Sequence, residues 1–269
     1  MIENKHHKEQ AMPNLKIIEN QTLHYQLLEG DPALPYLVFL HEGLGCTAMW
    51  RDFPELLCRA TGCPGLVYDR LGYGKSSALL QRRTIHYMHC SALQELPQLL
   101  HGVISETPYI LIGHSDGGSI SLIHGAEQPF FLRGIISEAA HVFVDQATIA
   151  GIKSAVAAWA QGKLKGLAQY HGEKTETVFK AWSETWLSEW FRHWNIEYLL
   201  PSIAVPMLVI HGNNDQYGLI DQAECITSHS AGHVQLEIIA DCAHTPHAEV
   251  QPLAEKLMTD FIAQVTNGR

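Results

Sequence analysis

The chain has 269 residues, of which 46% are hydrophobic, and its 28 acidic and 18 basic side chains give a formal net charge of −10. Because nucleic acids and anionic membrane surfaces repel an acidic protein, and no basic stripe or run of about 18 apolar residues occurs, we expect neither as a partner. Six cysteines without paired spacing predict reduced thiols rather than a disulfide framework.

The predicted elements alternate between strand and helix after a polar beginning. Residues 1–12 have neither an apolar signal core nor a cleavage site, so we expect an N-terminal tail on a soluble, cytoplasmic protein. The elements predicted next are two strands within 15–29, a strand at 36–40, a helix at 47–59, a strand at 66–69 and a helix at 84–101. Such alternation is typical of a mostly parallel α/β sheet covered on both faces.

Residues 109–118 read YILIGHSDGG, an apolar strand pattern that ends in Gly-x-Ser-x-Gly, and a helical pattern follows. This is the sequence of a nucleophile elbow, in which a strand turns at once into a helix and holds the central residue in strained backbone geometry. The flanking glycines let the two elements pass closely. Ser115 is therefore the candidate nucleophile.

After a predicted strand at 132–137 the alternation stops. Residues 143–201 show only helical patterns, so we expect a helical cap there, inserted into a core of residues 13–142 and 202–269. Aromatic residues recur every three or four positions and are predicted to share one face of the last cap helix: Phe179, Trp182, Trp186, Trp190 and Trp194. We expect part of this face, Trp186 included, to roof an apolar binding cavity.

A serine nucleophile needs a histidine to take its proton and a carboxylate to orient that histidine. Asp215 follows the predicted strand at 205–211, and His244 follows the predicted strand at 234–240, in the chain order serine, acid, histidine. Glu138, at the end of the strand after the elbow, is an alternative acid. His247 is an alternative base.

These motifs together resemble the α/β-hydrolase family, from about residue 15 to the C-terminal helix. HEGLG at 41–45 is similar to the family's oxyanion loop, and DRLGYGKS at 69–76 is similar to its Asp-x-x-Gly-x-Gly-x-Ser loop. The resemblance implies an α/β-hydrolase fold with about eight strands. It also implies an oxyanion hole formed by the backbone N–H groups of Asp116 and Gly43, with Leu44 as an alternative to Gly43.

One position departs from the family pattern, since Glu42 stands where the family usually has glycine. Its carboxylate is expected either to bond a neighbouring loop or to face the cavity and favour a substrate with a donor or positive group. We count Glu42, Leu44, His141 and Trp186 as candidate substrate contacts.

The resemblance and the candidate triad predict acyl transfer to water, with a carboxylic ester or thioester as the first choice and a carbon–carbon bond or lactone as alternatives. The expected partner is an apolar small molecule, with no cofactor and no metal, and the oligomeric state, monomer or homodimer, stays open. Two other classes remain. Gly43-x-Gly45-x-x-Ala48 with Asp69 is close to a dinucleotide fingerprint, and a hydrolase fold also serves ligand-binding proteins with little turnover.

Overall fold

The computed structural model of the chain describes residues 14–17 and 21–267, so the predicted tail at 1–12 lies outside the described residues. An eight-stranded sheet has the order β1-β2-β4-β3-β5-β6-β7-β8, antiparallel at β1-β2-β4 and parallel from β4 through β8. The strands are β1 (Asn14–Lys16), β2 (Thr22–Leu28), β3 (Tyr36–Leu40), β4 (Gly65–Tyr68), β5 (Tyr109–His114), β6 (Leu132–Glu138), β7 (Met207–Gly212) and β8 (Val234–Ile239).

Helices cover both faces of this sheet, and the predicted architecture is confirmed. They are α1 (Phe53–Thr61), α2 (Tyr87–Cys90), α3 (Leu96–Val103), α4 (Asp116–Ala126), α5 (Gln146–Ala160), α6 (Ala168–His171), α7 (Thr175–Leu187), α8 (Ile220–His229), α9 (Pro246–Glu249) and α10 (Gln251–Asn267). Short 3₁₀ turns lie at Thr47–Trp50, Lys165–Leu167, Gly172–Lys174, Glu189–Phe191 and Glu197–Ser202. No helix among the described residues is long and apolar enough to cross a bilayer.

The central strands are apolar on both faces because each face meets its own layer of helices. In β3, Val38 and Leu40 belong to one buried cluster, whereas Leu37 and Phe39 belong to the other. Since neighbouring side chains of a strand point to opposite faces, a strand buried on both sides has to be a continuous apolar run. The six cysteines are free thiols, and all but Cys90 are buried.

The register of the sheet brings several loops to one edge. Leu40 at the end of β3 pairs with Gly113 in β5, and His114 pairs with Glu138 at the end of β6. Glu138 pairs in turn with Ile210 in β7. The loops that follow β3, β5, β6 and β7 therefore start side by side at the carboxyl ends of the strands, where ligands bind in open α/β sheets.

Two predicted helices are interrupted, each at a proline. Where a helix was predicted at 47–59, the structure has a 3₁₀ turn that ends before Arg51. Arg51 has a φ of 55°, and helix α1 begins after it, with Pro54 in its first turn. Proline has no N–H to donate and fits only the first turn of a helix, so α1 begins there. The helix predicted at 84–101 begins at Tyr87 and contains a π-helical turn, Ser91–Glu95, just before Pro97.

Between β6 and β7, helices α5 to α7 and short 3₁₀ turns form the segment predicted as a cap. The prediction that its aromatic residues share one helical face is wrong. Helix α7 ends at Leu187 because Ser188 has extended backbone, so Trp190 and Trp194 lie beyond it. Trp190 is 47% exposed, whereas Trp194 packs on Trp186 at 5.7 Å between ring centroids.

Candidate active site

Ser115 lies between β5 and α4 in the strained backbone geometry predicted for an elbow, with φ 53° and ψ −115°. The glycines on either side permit a close crossing of strand and helix. A Cβ on Gly113 would stand 2.2 Å from the carbonyl oxygen of Gly117, and a Cβ on Gly117 would stand 2.0 Å from that of Leu40. No other residue fits at either position without moving backbone.

The structure brings Ser115, His244 and Asp215 into one chain of hydrogen bonds. Nε2 of His244 lies 2.9 Å from Oγ of Ser115, and its Nδ1 lies 2.7 and 2.9 Å from the two carboxylate oxygens of Asp215. An ionised carboxylate only accepts, so Nδ1 carries the proton and the Nε2 lone pair faces the serine hydroxyl.

The ionisation states of these hydrogen-bonded side chains allow His244 to act as a base on Ser115. Burial lowers the pKa of His244 below its usual range, and the hydrogen bond that His244 donates to Asp215 offsets this only in part. Burial alone would raise the pKa of Asp215, but the hydrogen bond and charge of His244 lower it. Backbone N–H groups of Tyr217 and Gly218 also donate to Asp215, at 2.7 and 3.3 Å. The site therefore holds a neutral imidazole against a carboxylate.

Glu138 and His247, the alternative acid and base, form a separate pair. Nδ1 of His247 lies 2.6 Å from one carboxylate oxygen of Glu138, and the backbone N–H of His247 donates to the other at 2.5 Å. The Glu138 side chain is fully buried. Glu138 thus holds the loop that carries both histidines and does not contact His244 through a hydrogen bond.

The same pair, with His114, contains the donor atoms for a metal ion, all within 4.8 Å of one another. A zinc ion binds nitrogen and oxygen ligands at about 2 Å from each. It would have to separate His247 and Glu138, whose ligand atoms are 2.6 Å apart. The present contact is a hydrogen bond and not the geometry of a metal site.

The loop predicted to form the oxyanion hole borders Ser115. Gly43, Leu44 and Asp116 line the same cavity as the serine. The Arg70 guanidinium, itself buried, donates to the carbonyl oxygen of Glu42 at 2.8 Å and so braces this loop. Backbone N–H groups at the start of a helix have no partner within the helix, and Asp116 is the first residue of α4. The Asp116 N–H is therefore placed to bind an anion.

The carboxylate of Asp116 is used elsewhere. It is buried, accepts the Tyr87 hydroxyl at 3.0 Å and faces the Arg70 guanidinium at 3.6 Å. These two contacts hold the carboxylate inside the protein.

Glu42 forms an ion pair with His114 that the sequence did not reveal. Its carboxylate lies 3.7 Å from Nδ1 of His114, and Nε2 of His114 donates to the backbone oxygen of His244 at 2.8 Å. Against the effect of burial, the partners hold the pKa of Glu42 at about 2 and raise that of His114 to about 9. The side chain of Glu42 also folds over Gly45, where a Cβ would be 2.1 Å from the carboxylate.

The candidate substrate contacts line a cavity of about 490 Å³ that opens onto Ser115. Glu42, Leu44, His141 and Trp186 are all among its lining residues. The cap contributes an apolar side, made of Ile152, Leu164, Leu167, Trp182 and Trp186. His171 of α6 ties the cap to the oxyanion loop, because its Nε2 donates to the Leu44 oxygen at 2.8 Å.

Comparisons with known proteins agree with this architecture. Residues 37–255 match the family model described as "Alpha/beta hydrolase family". A 2-succinyl-6-hydroxy-2,4-cyclohexadiene-1-carboxylate synthase of Enterobacter sp. (strain 638) is 29% identical over 157 residues, which cover 57% of this chain and 54% of that protein. Serine hydrolase BPHL of Homo sapiens is 29% identical over 161 residues, 56% of this chain and 54% of that protein.

The chain thus spans about half the length of the curated relatives it matches. Among solved structures, the 2-hydroxy-6-oxo-6-phenylhexa-2,4-dienoate hydrolase from Rhodococcus sp. strain RHA1 superposes with a TM-score of 0.75 at 16% identity, covering 90% of this chain and 94% of that one. At this identity the likeness concerns the fold alone.

Proposed function

Because the family match spans most of the chain, the protein belongs to the alpha/beta hydrolase family, and on that premise we propose that it is a serine hydrolase that acts through an acyl-enzyme on Ser115. One observation carries the proposal. The hydrogen bonds from Ser115 to His244 and on to Asp215, at 2.9 and 2.7 Å, meet at a cavity with an apolar wall.

In the proposed mechanism His244 takes the hydroxyl proton as Ser115 attacks the substrate carbonyl. Asp215 stabilises the imidazolium that results. The backbone N–H groups of Asp116 and Gly43 bind the oxyanion, and loss of one such donor typically costs about 3 kcal/mol of transition-state stabilisation. The leaving group takes the proton from His244, which then activates water to release the acid and regenerate Ser115.

A carboxylic ester or thioester of small to medium size is the proposed substrate class. The cavity of about 490 Å³ is within the range of small-molecule sites, and its cap side is made of aliphatic and tryptophan side chains. Apolar groups near the scissile bond would be desolvated there. The leaving oxygen or sulfur needs only the proton that His244 already holds.

Hydrolysis of a carbon–carbon bond is a second candidate, favoured by the His247–Glu138 pair. His247 lines the cavity, and its Nε2 makes no hydrogen bond within the described part of the chain. A carbon leaving group carries charge away from the scissile bond, so a second imidazole in the cavity would have a proton-transfer role. In the hydrolysis of an ester, His247 would have no such proton-transfer role.

Labelling with a fluorophosphonate probe, followed by peptide mapping, tests the proposal directly. We expect an adduct on Ser115, and hydrolysis of 4-nitrophenyl butyrate that disappears in Ser115→Ala while its circular dichroism spectrum is retained. Ser154→Ala, an exposed serine on α5, is the matched control and should stay active. An active, unlabelled Ser115→Ala protein, or wild type with neither adduct nor turnover, would refute it.

A further inference from the structure

Arg51 is a cation at the mouth of the cavity with no acidic partner among the residues that the structure describes. The residue lines the cavity and is exposed, and no carboxylate of the described residues forms an ion pair with it. In a protein with a net charge of −10, acidic side chains outnumber basic ones. A guanidinium left unpaired in the cavity that holds the candidate nucleophile therefore calls for a function.

The backbone of Arg51 is strained. Its φ of 55° and ψ of −129° fall in a region that residues other than glycine rarely adopt, and such residues cluster at functional sites. Its neighbours impose this geometry. Trp50, directly before Arg51, is buried against His247 with ring centroids 4.6 Å apart, and Phe53, two residues after Arg51, is also buried. The chain between these two anchors holds the arginine at the cavity mouth.

None of the carboxylates that line the cavity forms an ion pair with Arg51, and each has other partners inside the protein. Glu42 faces His114, and Asp116 accepts the hydroxyl of Tyr87 at 3.0 Å. Glu249 accepts two backbone N–H groups of its own loop, at 2.7 and 2.9 Å. The guanidinium is thus the charged group of the cavity that is free to bind a ligand.

We propose that Arg51 binds a carboxylate on the substrate, so that the preferred substrates are anionic esters or thioesters. The inference rests on the proposed function and narrows its substrate class. The carboxylate would lie at the wet mouth and the carbon chain along the apolar cap side, with the scissile carbonyl at Ser115. The planar fork of a guanidinium matches a carboxylate in a bidentate arrangement, which an ammonium does not.

Two esters of equal chain length test this, 4-nitrophenyl hexanoate and mono-4-nitrophenyl adipate. We expect wild type to favour the adipate in kcat/KM, and the adipate-to-hexanoate ratio to fall roughly ten-fold in Arg51→Gln and further in Arg51→Glu, as expected for loss of a partly solvated ion pair. Added salt should lower the wild-type ratio, because it screens such a pair. Arg59→Glu makes the same charge change on exposed α1 and should leave the ratio unchanged.

The proposal is overturned if the ratio is the same in Arg51→Glu and wild type, or falls equally in Arg59→Glu. A binding measurement separates this outcome from failure of the proposed function. Monomethyl adipate should quench the fluorescence of cavity tryptophans in Ser115→Ala, and adding Arg51→Glu should abolish the quenching. Such binding without any esterase activity in wild type would refute the serine-hydrolase assignment alone. Quenching that survives Arg51→Glu would refute the role of Arg51.

Discussion

Two carboxylates follow neighbouring strands, Glu138 as the last residue of β6 and Asp215 in the loop after β7, and each bonds a different histidine. Asp215 contacts His244, whereas Glu138 contacts His247. The two acids therefore differ in their expected roles. Asp215 orients the imidazole that faces Ser115, and Glu138 holds the loop that carries that imidazole.

Asp215→Asn should lower kcat by about 10⁴-fold, because the amide no longer selects the tautomer whose Nε2 accepts the serine proton. Glu138→Gln should keep kcat within about ten-fold but lower the melting temperature, since it weakens a buried charge-assisted bond to His247. Ester kinetics and thermal unfolding of both variants measure this contrast. The reverse pattern, with Glu138→Gln inactive and Asp215→Asn active, would make Glu138 the catalytic acid.

Glu42→Gln should move the acid limb of the pH–rate profile to higher pH. Charged His114, with its ring 5.1 Å from that of His244, disfavours a second positive charge there and so lowers the pKa of His244. Without the Glu42 carboxylate, His114 loses much of the reason for its raised pKa, and the repulsion weakens. The pKa of His244 then rises, and more of this base is protonated in mildly acidic solution.

The profile of kcat/KM between pH 5 and 9 measures this shift. The other ionisable side chains of the site, Asp215 and His141 facing His244 and Glu138 facing His114, are unchanged in this variant. Glu55→Gln, on the exposed side of α1, removes the same charge and should not move the limb. An unmoved limb in Glu42→Gln would mean that His114 does not tune His244.

At the scale of single residues, the sequence predicted which residues belong to the candidate site better than it predicted which side chains contact each other. Spacing relative to apolar runs singled out Ser115, Asp215 and His244, because each follows a strand end where side chains of parallel strands converge. The pairing of Glu42 with His114 joins residues 72 positions apart on different loops, and the 3.7 Å contact exists only once β3 and β5 are adjacent. The sequence signals were the glutamate at a position where the family usually has glycine and the histidine directly before the candidate nucleophile.

At the scale of elements, the cap and the oxyanion loop come close together at Gly43, which has no side chain to separate them. A Cβ on Gly43 would lie 2.5 Å from the Trp182 ring of α7. Gly43→Ala should therefore displace the loop or the ring and lower kcat/KM by roughly 10²-fold, as for loss of an oxyanion donor. Gly166 lies in an exposed turn of the predicted cap, and the atom nearest to a Cβ placed there, Nε2 of Gln169, is 4.0 Å away. Gly166→Ala is therefore the matched control.

Steady-state ester kinetics and thermal unfolding of the two glycine variants give the comparison. Gly43→Ala should lose activity with little loss of stability, because the affected loop lies at the edge of the core. Equal, small effects in both variants would show that the loop tolerates the shift and that the approach of α7 has no catalytic consequence.

The strands were predictable because β3 to β7 are buried on both faces and must be apolar throughout. Helix ends were less so. The helix predicted at 47–59 breaks at Arg51, whose strained backbone has no local sequence signature, and α1 begins after it with Pro54 in its first turn. Aromatic spacing continued past Leu187, but the extended backbone at Ser188 ends α7, so periodicity alone overestimated that helix. The extent of the cap, 143–201, stays a prediction.

At the scale of the whole molecule, burial of histidines dominates the expected pH dependence of stability. Burial lowers the pKa of seven histidines among the described residues below the ordinary value: His24, His41, His89, His124, His171, His211 and His244. Below about pH 6.5 the unfolded chain protonates these groups and the native state does not, so stability falls as the pH falls.

Two groups act in the opposite sense. Burial raises the pKa of Glu95 to about 7, so its contribution to stability decreases as pH rises from about 4.5 towards that value. Burial opposes but Glu42 raises the pKa of His114 to about 9, so its contribution to stability is full below about pH 6.5 and is lost as the pH rises from there to about 9. Two such groups against seven leave a net loss of stability on acidification.

The melting temperature should therefore decline steadily from pH 7.5 to 5.5, well before the carboxylates with lowered pKa, such as Asp215 and Glu138, begin to be protonated. Each histidine that must stay neutral contributes up to about 1.4 kcal/mol per pH unit below its unfolded pKa. His124→Gln removes one such group and should flatten the decline, whereas His101→Gln, on an exposed position of α3, should not. Calorimetry at pH 7.5, 6.5 and 5.5 measures both slopes. A melting temperature constant over this range would mean that the buried histidines take up protons in the native state as readily as in the unfolded chain.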